Sequence, residues 1–186
     1  MFRFLTAGES HGKGLTVITE GIPAGLELSE EYISRDLSRR QVGYGRGGRM
    51  QIEHDYAEIL SGVRHGITMG GPISMWIENR DWSTGKGPDG VPWTTEMSVS
   101  PTEVPFEPIT KLRPGHADTP GITKYMQSDA RNILERSSAR ESAARVAAGA
   151  IARRFLEEFG IAIHGHVTCI GGVHAKPFES INWSAL

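Results

Sequence analysis

The sequence predicts an α+β fold built around one long helix that is rich in small residues. Two apolar, β-branched runs, FRFLTA (2–7) and LTVITE (15–20), indicate strands near the start of the chain. The segment SSARESAARVAAGAIARRFLEEFG (137–160) carries two neighbouring stripes of alanine at helical spacing. A helix with small residues around so much of its girth is expected to lie sandwiched between other layers.

A second helix is predicted over LSEEYISRDLSRRQ (28–41). Ser29 is the expected N-cap, glutamates occupy the first turn and arginines the last, an order that suits the helix dipole. Ile33 and Leu37, four residues apart, supply the buried stripe. In the long helix, Ser138 and Glu141 match a capping box and Gly160 suits the C′ position.

Further strands are expected over MQIEHD (50–55), AEILSGV (57–63), GPISMWIEN (71–79) and IAIHGHVTCIGGV (161–173). Residues 79–111 form a long stretch rich in Pro, Gly, Ser and Thr, predicted to be irregular. Loops of that length in a domain are usually functional or disordered. Trp82 and Trp93 inside this stretch favour an ordered lid, because linkers seldom carry tryptophan.

Composition bounds the class of protein. The chain has 186 residues, enough for one domain with a core, and its net charge of −2 gives no general attraction to nucleic acid or to a membrane. The single cysteine, Cys169, cannot form an internal disulfide. The start of the chain lacks a signal-peptide pattern and no apolar run is long enough to span a bilayer. We therefore expect a cytoplasmic protein without nucleic-acid or membrane partners.

The loop GESHGKG (8–14) joins the first two predicted strands and holds His11 between glycines. It resembles a phosphate-binding P-loop but has the wrong glycine spacing, and a strand follows it where a P-loop requires a helix. A metal ligand or a proton donor remain the alternatives. Imidazole titrates closest to neutral pH, so a histidine held in a tight loop suits proton transfer to a small ligand.

Arginines cluster around the next loop, VGYGRGGRM (42–50). The segment fits G-x-G-x-x-G by letter, but it leaves a helix instead of a strand, which argues against a dinucleotide fold. Guanidinium groups on flexible backbone suit phosphate or carboxylate, whereas the simpler alternative is a solvated surface turn. The candidate anion-binding residues are Arg39, Arg40, Arg46 and Arg49.

Two other segments carry polar groups of interest. His116 lies in a second glycine loop, KLRPGHADTPG (111–121), where it is either an exposed side chain or a second proton-transfer group. Arg136, Ser137 and Ser138 are expected at the start of the long helix, where free N–H groups suit an anion, although capping alone explains Ser138.

A zinc site is the remaining metal hypothesis. His164, His166, Cys169 and His174 are close in sequence but lack a usual ligand spacing, so strand-surface residues are favoured and no metal is predicted.

Taken in order, five motifs resemble the chorismate synthase family over residues 1 to about 172: GESHGKG, RRQVGYGRGGRM, LSGVRHGITMGGPI, RPGHAD and RSSARESAARVAAGAIA. The resemblance implies a helical layer between two antiparallel sheets. It also implies the elimination of phosphate and a ring proton from 5-enolpyruvylshikimate 3-phosphate, with anti-1,4 geometry, to give chorismate. This is the last step of the shikimate pathway and requires reduced FMN without net redox change.

The resemblance also implies residue roles. His11 is similar to the histidine that protonates the departing phosphate, and His116 to the one near the flavin N1. Arg40 and Arg46 match positions for NADP(H) or substrate phosphate, with Arg39 and Arg49 as helpers by proximity. Arg136, Ser137 and Ser138 match an FMN-contacting segment. NADPH is a candidate source of flavin reduction.

Family members form homotetramers and are roughly twice this long, so the resemblance implies an N-terminal portion of such a domain. The stretch NRDWSTGKGPDGVPW (79–93) is similar to an insertion found in some bacterial members. Two other classes remain open: a non-catalytic module that binds flavin or a phosphorylated metabolite, and an RNA-binding domain that uses the glycine–arginine loop. The net charge of −2 disfavours the second.

Overall fold

The fold is a four-stranded antiparallel sheet covered by two helices, seen in a computed structural model that describes residues 1–42, 54–103, 107–177 and 182. The sheet has the order β1-β2-β7-β4, and every neighbouring pair is antiparallel. Its strands are β1 (Arg3–Ala7), β2 (Gly14–Glu20), β4 (Glu58–Ser61) and β7 (Ile73–Glu78). The predicted α+β class is confirmed.

A smaller antiparallel sheet has the order β3-β6-β5. It consists of β3 (Ala24–Glu27), β5 (Val63–Arg64) and β6 (Ile67–Met69). A hairpin of β8 (Cys169–Ile170) and β9 (Val173–His174) follows near the end of the chain. The long strand predicted over 161–173 is therefore wrong in extent, because only its last part pairs and its side chains are exposed.

Helix α1 (Glu30–Gln41) agrees with the sequence prediction in detail. The Ser29 hydroxyl accepts a hydrogen bond from the N–H of Tyr32 at 3.2 Å, and Ile33 and Leu37 are fully buried. The cap satisfies one of the N–H groups that a helix start leaves without a partner. The following glycine–arginine loop, with Arg46 and Arg49, and residues 50–53 of the predicted strand MQIEHD lie outside the described residues.

Helix α6 (Glu141–Glu157) packs on β1, β2 and α1 through its alanines. Because alanine is small, the helix backbone can approach both the sheet and α1 closely, as the two apolar stripes predicted. Gly160 takes φ 67, and the N–H groups of Gly160 and Ile161 bond the carbonyls of Glu157 and Leu156. These are the paired bonds of a Schellman motif, in agreement with the predicted C′ glycine.

The predicted capping box is wrong. Helix α6 begins two residues later than expected, with Arg140 at the N-cap position, and the Ser138 hydroxyl accepts from the N–H of Arg140 at 3.2 Å instead of from that of Glu141. The Glu141 carboxylate accepts hydrogen bonds from the Arg136 guanidinium and from the hydroxyl of Thr6, and not from the backbone N–H of Ser138 as a capping box requires. Charge-assisted bonds to guanidinium are stronger than a neutral cap, which explains the preference.

The chain from 79 to 136 contains short helices. The stretch 79–111, predicted as irregular, holds α2 (Arg80–Thr84), a 3-10 turn at Pro88–Gly90 and α3 (Trp93–Glu96). Beyond it lie α4 (Asp118–Tyr125) and α5 (Arg131–Arg136), which the sequence did not indicate. Helices this short form through tertiary contacts more than through intrinsic propensity, so local sequence reveals little of them.

Candidate active site

The loop at 8–13 is the turn of the β1–β2 hairpin, and buried Asn79 holds it in place. The Asn79 amide donates to the carbonyls of Glu9 and Gly12 at 2.9 and 2.8 Å, and its oxygen accepts from Nε of Arg140 at 2.7 Å. Asn79 is 1 % exposed. Moving the loop would break these buried hydrogen bonds of the Asn79 side-chain amide and leave their polar groups without partners. The loop is therefore held in one conformation.

His11 contacts a buried carboxylate on α5. Its backbone N–H donates to Oε2 of Glu135 at 2.8 Å, and its Nδ1 lies 2.9 Å from Oε1 of the same carboxylate. The carbonyl of Glu135 also accepts from the N–H of Ser10 at 3.0 Å. Helix α5 and the hairpin turn are thereby joined through both backbone and side chain.

Burial raises the pKa of Glu135, but the hydrogen bonds and charge of His11, together with Arg131, outweigh that effect. The net result is a pKa below the ordinary value of a glutamate. The carboxylate is therefore ionised at neutral pH and accepts the proton of the ring Nδ1–H. This leaves Nε2 as the nitrogen of His11 that can exchange a proton with a ligand.

Trp93 of α3 covers the ring of His11. The two ring centroids are 3.9 Å apart with an interplanar angle of 16°, and Trp93 is 7 % exposed. The guanidinium of Arg131 lies 5.7 Å from the centroid of the Trp93 ring and binds Glu96 at 2.9 Å. The segment predicted as a lid thus supplies an aromatic wall to the predicted proton donor.

His116 also contacts a buried carboxylate. Its Nδ1 lies 2.9 Å from Oδ1 of Asp118, which is fully buried, while a third of the imidazole side chain is exposed. Asp118 further accepts from Nε of Arg113 at 3.1 Å and from its NH2 group at 3.0 Å. The side-chain hydrogen bond from Arg113 holds the pKa of Asp118 well below its usual range, against the opposing effect of burial.

The predicted flavin segment lies between two helices and not at the start of α6. Arg136 ends α5, and its guanidinium donates to the carbonyl and hydroxyl of Thr6 at 2.9 Å and pairs with Glu141. Ser137 donates to the carbonyl of Ile133 at 2.6 Å, and Ser138 donates to the hydroxyl of Ser10 at 3.0 Å. The segment therefore contacts the His11 loop directly, through the bond from Ser138 to Ser10.

Arg136 and Ser137 line an open pocket of about 570 Å³ between α4 and α5. Its wall is mostly apolar, with one further cation, Lys124, and polar groups from Gln127 and Asn132. A pocket of this volume with a few convergent polar groups suits a small molecule. Neither His11 nor His116 lines this pocket.

The two described arginines of the predicted anion cluster have different partners. Arg40 binds Asp55 at 2.7 Å and the hydroxyl of Ser142 at 3.1 Å, and only 13 % of its side chain is exposed. Arg140 pairs with the other oxygen of Asp55. Arg39 is 63 % exposed and lies 3.9 Å from Asp36. Arg40 thus belongs to a buried network in which two guanidinium groups share one carboxylate.

Among the described residues, no group of three or more His, Cys, Asp or Glu side chains is arranged to hold a metal ion. Cys169 pairs with His174 in the β8–β9 hairpin, and both are exposed. Within residues 1–42, 54–103 and 107–177, no helix is long and apolar enough to cross a membrane.

Sequence reasoning missed the two carboxylates and the asparagine. Asp118 had a local signal, because it follows His116 by two residues in the motif RPGHAD. Glu135 had none, because it lies 124 residues from His11. Asn79 ends a predicted strand, and no local pattern marks its bonds to the loop.

These features define an α+β protein in which two loop imidazoles each contact a buried carboxylate, an arrangement suited to acid–base chemistry. A separate pocket carries cationic groups. The family model for chorismate synthase matches residues 2–185, and the chain belongs to the chorismate synthase family.

Relatives named chorismate synthase are similar over nearly the whole chain. The one from Aquifex aeolicus is 61% identical over 98% of this chain and 44% of its own length. The one from Gloeobacter violaceus is 57% identical over 94% of this chain and 45% of its own length. A crystal structure of chorismate synthase superposes with a TM-score of 0.61 at 50% identity, covering 86% of this chain and 34% of that chain. The chain spans less than half the length of these curated relatives.

Proposed function

We propose that the chain acts, within a protein of the relatives' length, as a chorismate synthase. The reaction is the anti-1,4-elimination of phosphate from 5-enolpyruvylshikimate 3-phosphate, which places the protein among the carbon–oxygen lyases. The observation that carries the proposal is the 61% identity to a relative named chorismate synthase over 98% of this chain. The contacts of the two histidines agree with the chemistry that the reaction needs.

His11 is the proposed acid for the departing phosphate. Glu135 engages Nδ1 at 2.9 Å, so the proton that reaches the phosphate leaves from Nε2. The carboxylate stabilises the imidazolium before the transfer and holds the neutral ring afterwards. Trp93 lies against one face of the ring and shields that face from water.

His116 is the proposed proton-holding group near the flavin. Nδ1 of His116 lies 2.9 Å from both Oδ1 of Asp118 and the NH2 group of Arg113, and Arg113 holds the carboxylate in its ionised form. Nε2 of His116 is then the nitrogen that faces a bound molecule, and the exposed third of its side chain permits that contact.

The 570 Å³ pocket beside Arg136 and Ser137 fits reduced FMN in volume and in chemistry. Apolar side chains of α4 and α5 offer contact to a ring system, while Lys124 and Arg136 offer charge to a phosphate. When bound, reduced FMN supplies an electron transiently and recovers it, so that the overall reaction has no net redox change. Ser138, through its bond to Ser10, ties this pocket to the His11 loop.

Arg40, with Arg46 and with Arg39 and Arg49 as helpers, is the proposed contact for substrate phosphate or NADP(H). Arg40 and Arg140 both bind Asp55 there, and guanidinium groups are well suited to binding phosphate. NADPH would serve to reduce the flavin. A cytoplasmic location and a homotetramer complete the proposal.

The test is anaerobic chorismate formation with reduced FMN. A chimaera in which this chain replaces the matching part of the Aquifex aeolicus relative should convert 5-enolpyruvylshikimate 3-phosphate to chorismate. The 186-residue chain alone should bind FMN weakly and turn over poorly. If the chimaera is folded and inactive while the Aquifex aeolicus relative is active in the same assay, the proposed function is wrong. Flavin binding without turnover would instead favour the non-catalytic module.

A further inference from the structure

Glu135 makes an unusual pair of contacts with a single residue. One carboxylate oxygen accepts from the backbone N–H of His11 at 2.8 Å, and the other lies 2.9 Å from the ring Nδ1. The carboxylate is 4 % exposed. Because backbone and ring are held by the same group, the ring can rotate about its side-chain torsions only by breaking a charge-assisted hydrogen bond.

Trp93 restricts the same ring from a second direction. The indole is nearly parallel to the imidazole, at a centroid distance of 3.9 Å. Arg131 supports both partners, since its guanidinium lies 3.6 Å from Glu135 and 5.7 Å from the centroid of the Trp93 ring. Arg131 in turn binds Glu96 at the end of α3. The ring plane and the contact at Nδ1 are thus supported by one connected cluster.

We propose that Glu135 and Trp93 are positioning residues for His11: the carboxylate keeps a proton on Nδ1, and the indole fixes the ring plane, so that Nε2 is the nitrogen presented to the reacting group. The part of this inference that concerns turnover rests on the proposed function. The part that concerns the ring proton stands on the contacts alone.

The charged groups that face the ring are consistent with this arrangement. Asp81 of α2 lies 3.9 Å from Nε2, which is too long for a hydrogen bond. Glu135 and Arg131 approach from α5, and Glu96 of α3 is held on Arg131. Carboxylates therefore flank both ring nitrogens, and only the one at Nδ1 is close enough to fix the position of a proton.

The first experiment reads the ring proton directly. Nitrogen-15 shifts of the histidine rings are recorded on the full chain under alkaline conditions, where imidazole is neutral. The seven histidines are distinguished by the loss of one set of signals in His11→Gln. We expect His11 to carry its proton on Nδ1. A proton found mainly on Nε2 of the unsubstituted chain overturns the inference, whatever the variants do.

Variants then separate positioning from mere packing. Glu135→Leu removes the acceptor at similar size, and Glu135→Gln removes only its charge. The Nδ1–H fraction of His11 should fall at least severalfold in Glu135→Leu and less in Glu135→Gln. Glu58→Gln, at an exposed position of β4 outside this cluster, is the control and should leave the fraction unchanged. An unchanged fraction in a folded Glu135→Leu chain contradicts the inference.

The second experiment measures turnover in the active chimaera. Glu135→Gln should lower kcat by about 10- to 100-fold, within the range of a proton-transfer contribution, while KM changes by less than about threefold. Trp93→Phe retains an aromatic face and should lose less than Trp93→Ala. If Glu135→Gln changed KM by as large a factor as kcat, Glu135 would act only through the shape of the binding site, and the inference would be wrong. An Nδ1–H ring in an inactive chimaera would contradict the proposed function and leave the proton assignment intact.

Discussion

The carboxylate of Asp118, fully buried at the start of α4, lies 2.9 Å from Nδ1 of His116. Glu135 stands in the same relation to Nδ1 of His11. Each of the two histidines singled out by sequence is therefore paired, through the same ring nitrogen, with an acidic residue from a short helix. A carboxylate at Nδ1 selects the tautomer of the ring and stabilises its protonated form, which is what a general acid or base requires.

The pairing of Asp118 predicts how stability depends on pH. The pKa of Asp118 is depressed in the folded chain, mainly by hydrogen bonding from Arg113. A depressed carboxyl pKa contributes stability that is fully present above the unfolded value of about 3.9 and is lost as pH falls through the folded value. The urea midpoint should therefore decline as the pH is lowered below about 4.

Asp118→Asn should lower the urea midpoint at neutral pH and flatten its decline in acid. Asp89→Asn, at an exposed turn position, is the control and should retain the parental profile. If Asp118→Asn and the parent lose stability in acid to the same extent, the ion pair with Arg113 is not the cause.

Removal of either imidazole should reduce turnover of the chimaera strongly. His11→Ala and His116→Ala are each expected to lower kcat by about 10² to 10⁴-fold, the usual contribution of one positioned proton-transfer group. Anaerobic progress curves for chorismate give the rates. His65→Ala, at a turn with φ 52, is a suitable control histidine outside the candidate site. Parental rates in both His11→Ala and His116→Ala would exclude the proposed catalytic roles.

Asn79 should be a major contributor to the stability of the His11 loop. Asn79→Ala removes two bonds to the loop carbonyls and one from Arg140, and leaves these buried groups without their partner. Each unsatisfied buried polar group costs about 1–3 kcal/mol, so the three together are expected to lower the free energy of unfolding by about 3 kcal/mol or more.

Urea denaturation measures the effect of Asn79→Ala. Asn132→Ala is the comparison, because the Asn132 amide makes one exposed hydrogen bond, to Gln127, and should cost less than about 0.5 kcal/mol. Similar losses in the two variants would show that the buried bonds of Asn79 contribute no more than a surface contact.

Local patterns predicted those elements whose signals lie within a few residues. The Ser29 cap, the Ile33 and Leu37 stripe and the alanine stripes of α6 each depend on spacing along one helix, and each agrees with the structure. Strand β3 was missed because its sequence AGLE contains a glycine and buries only Leu26. A single buried side chain cannot show the alternation of buried and exposed residues by which a strand is recognised in a sequence.

The candidate site was predictable only in part, because its partners are distant in sequence. His11 and His116 were recognisable as histidines in glycine loops, but Glu135 is 124 residues from His11 and Asn79 is 67 residues from Gly12. Such contacts are set by the packing of α5 and β7 against the hairpin turn, and no local signal records them. The capping-box prediction failed in part for the same reason: Thr6, 135 residues from Glu141, binds its carboxylate together with the nearby Arg136.

Alanine substitutions at two helical glycines should change the free energy of unfolding in opposite directions. Gly149 lies in the middle of α6 with no atom within 4 Å of an added Cβ, whereas a Cβ on Gly121 of α4 would lie 2.4 Å from Cγ2 of Ile133. Gly149→Ala should raise the free energy of unfolding by about 0.5–1 kcal/mol, since alanine loses less backbone entropy in a helix interior. Gly121→Ala should lower it by about 1–3 kcal/mol through overpacking. Both are measured by urea denaturation of the same chain. Stabilisation by Gly121→Ala would mean that α4 and α5 are not packed as closely as Gly121 and Ile133 indicate, and destabilisation by Gly149→Ala would mean that this face of α6 is covered.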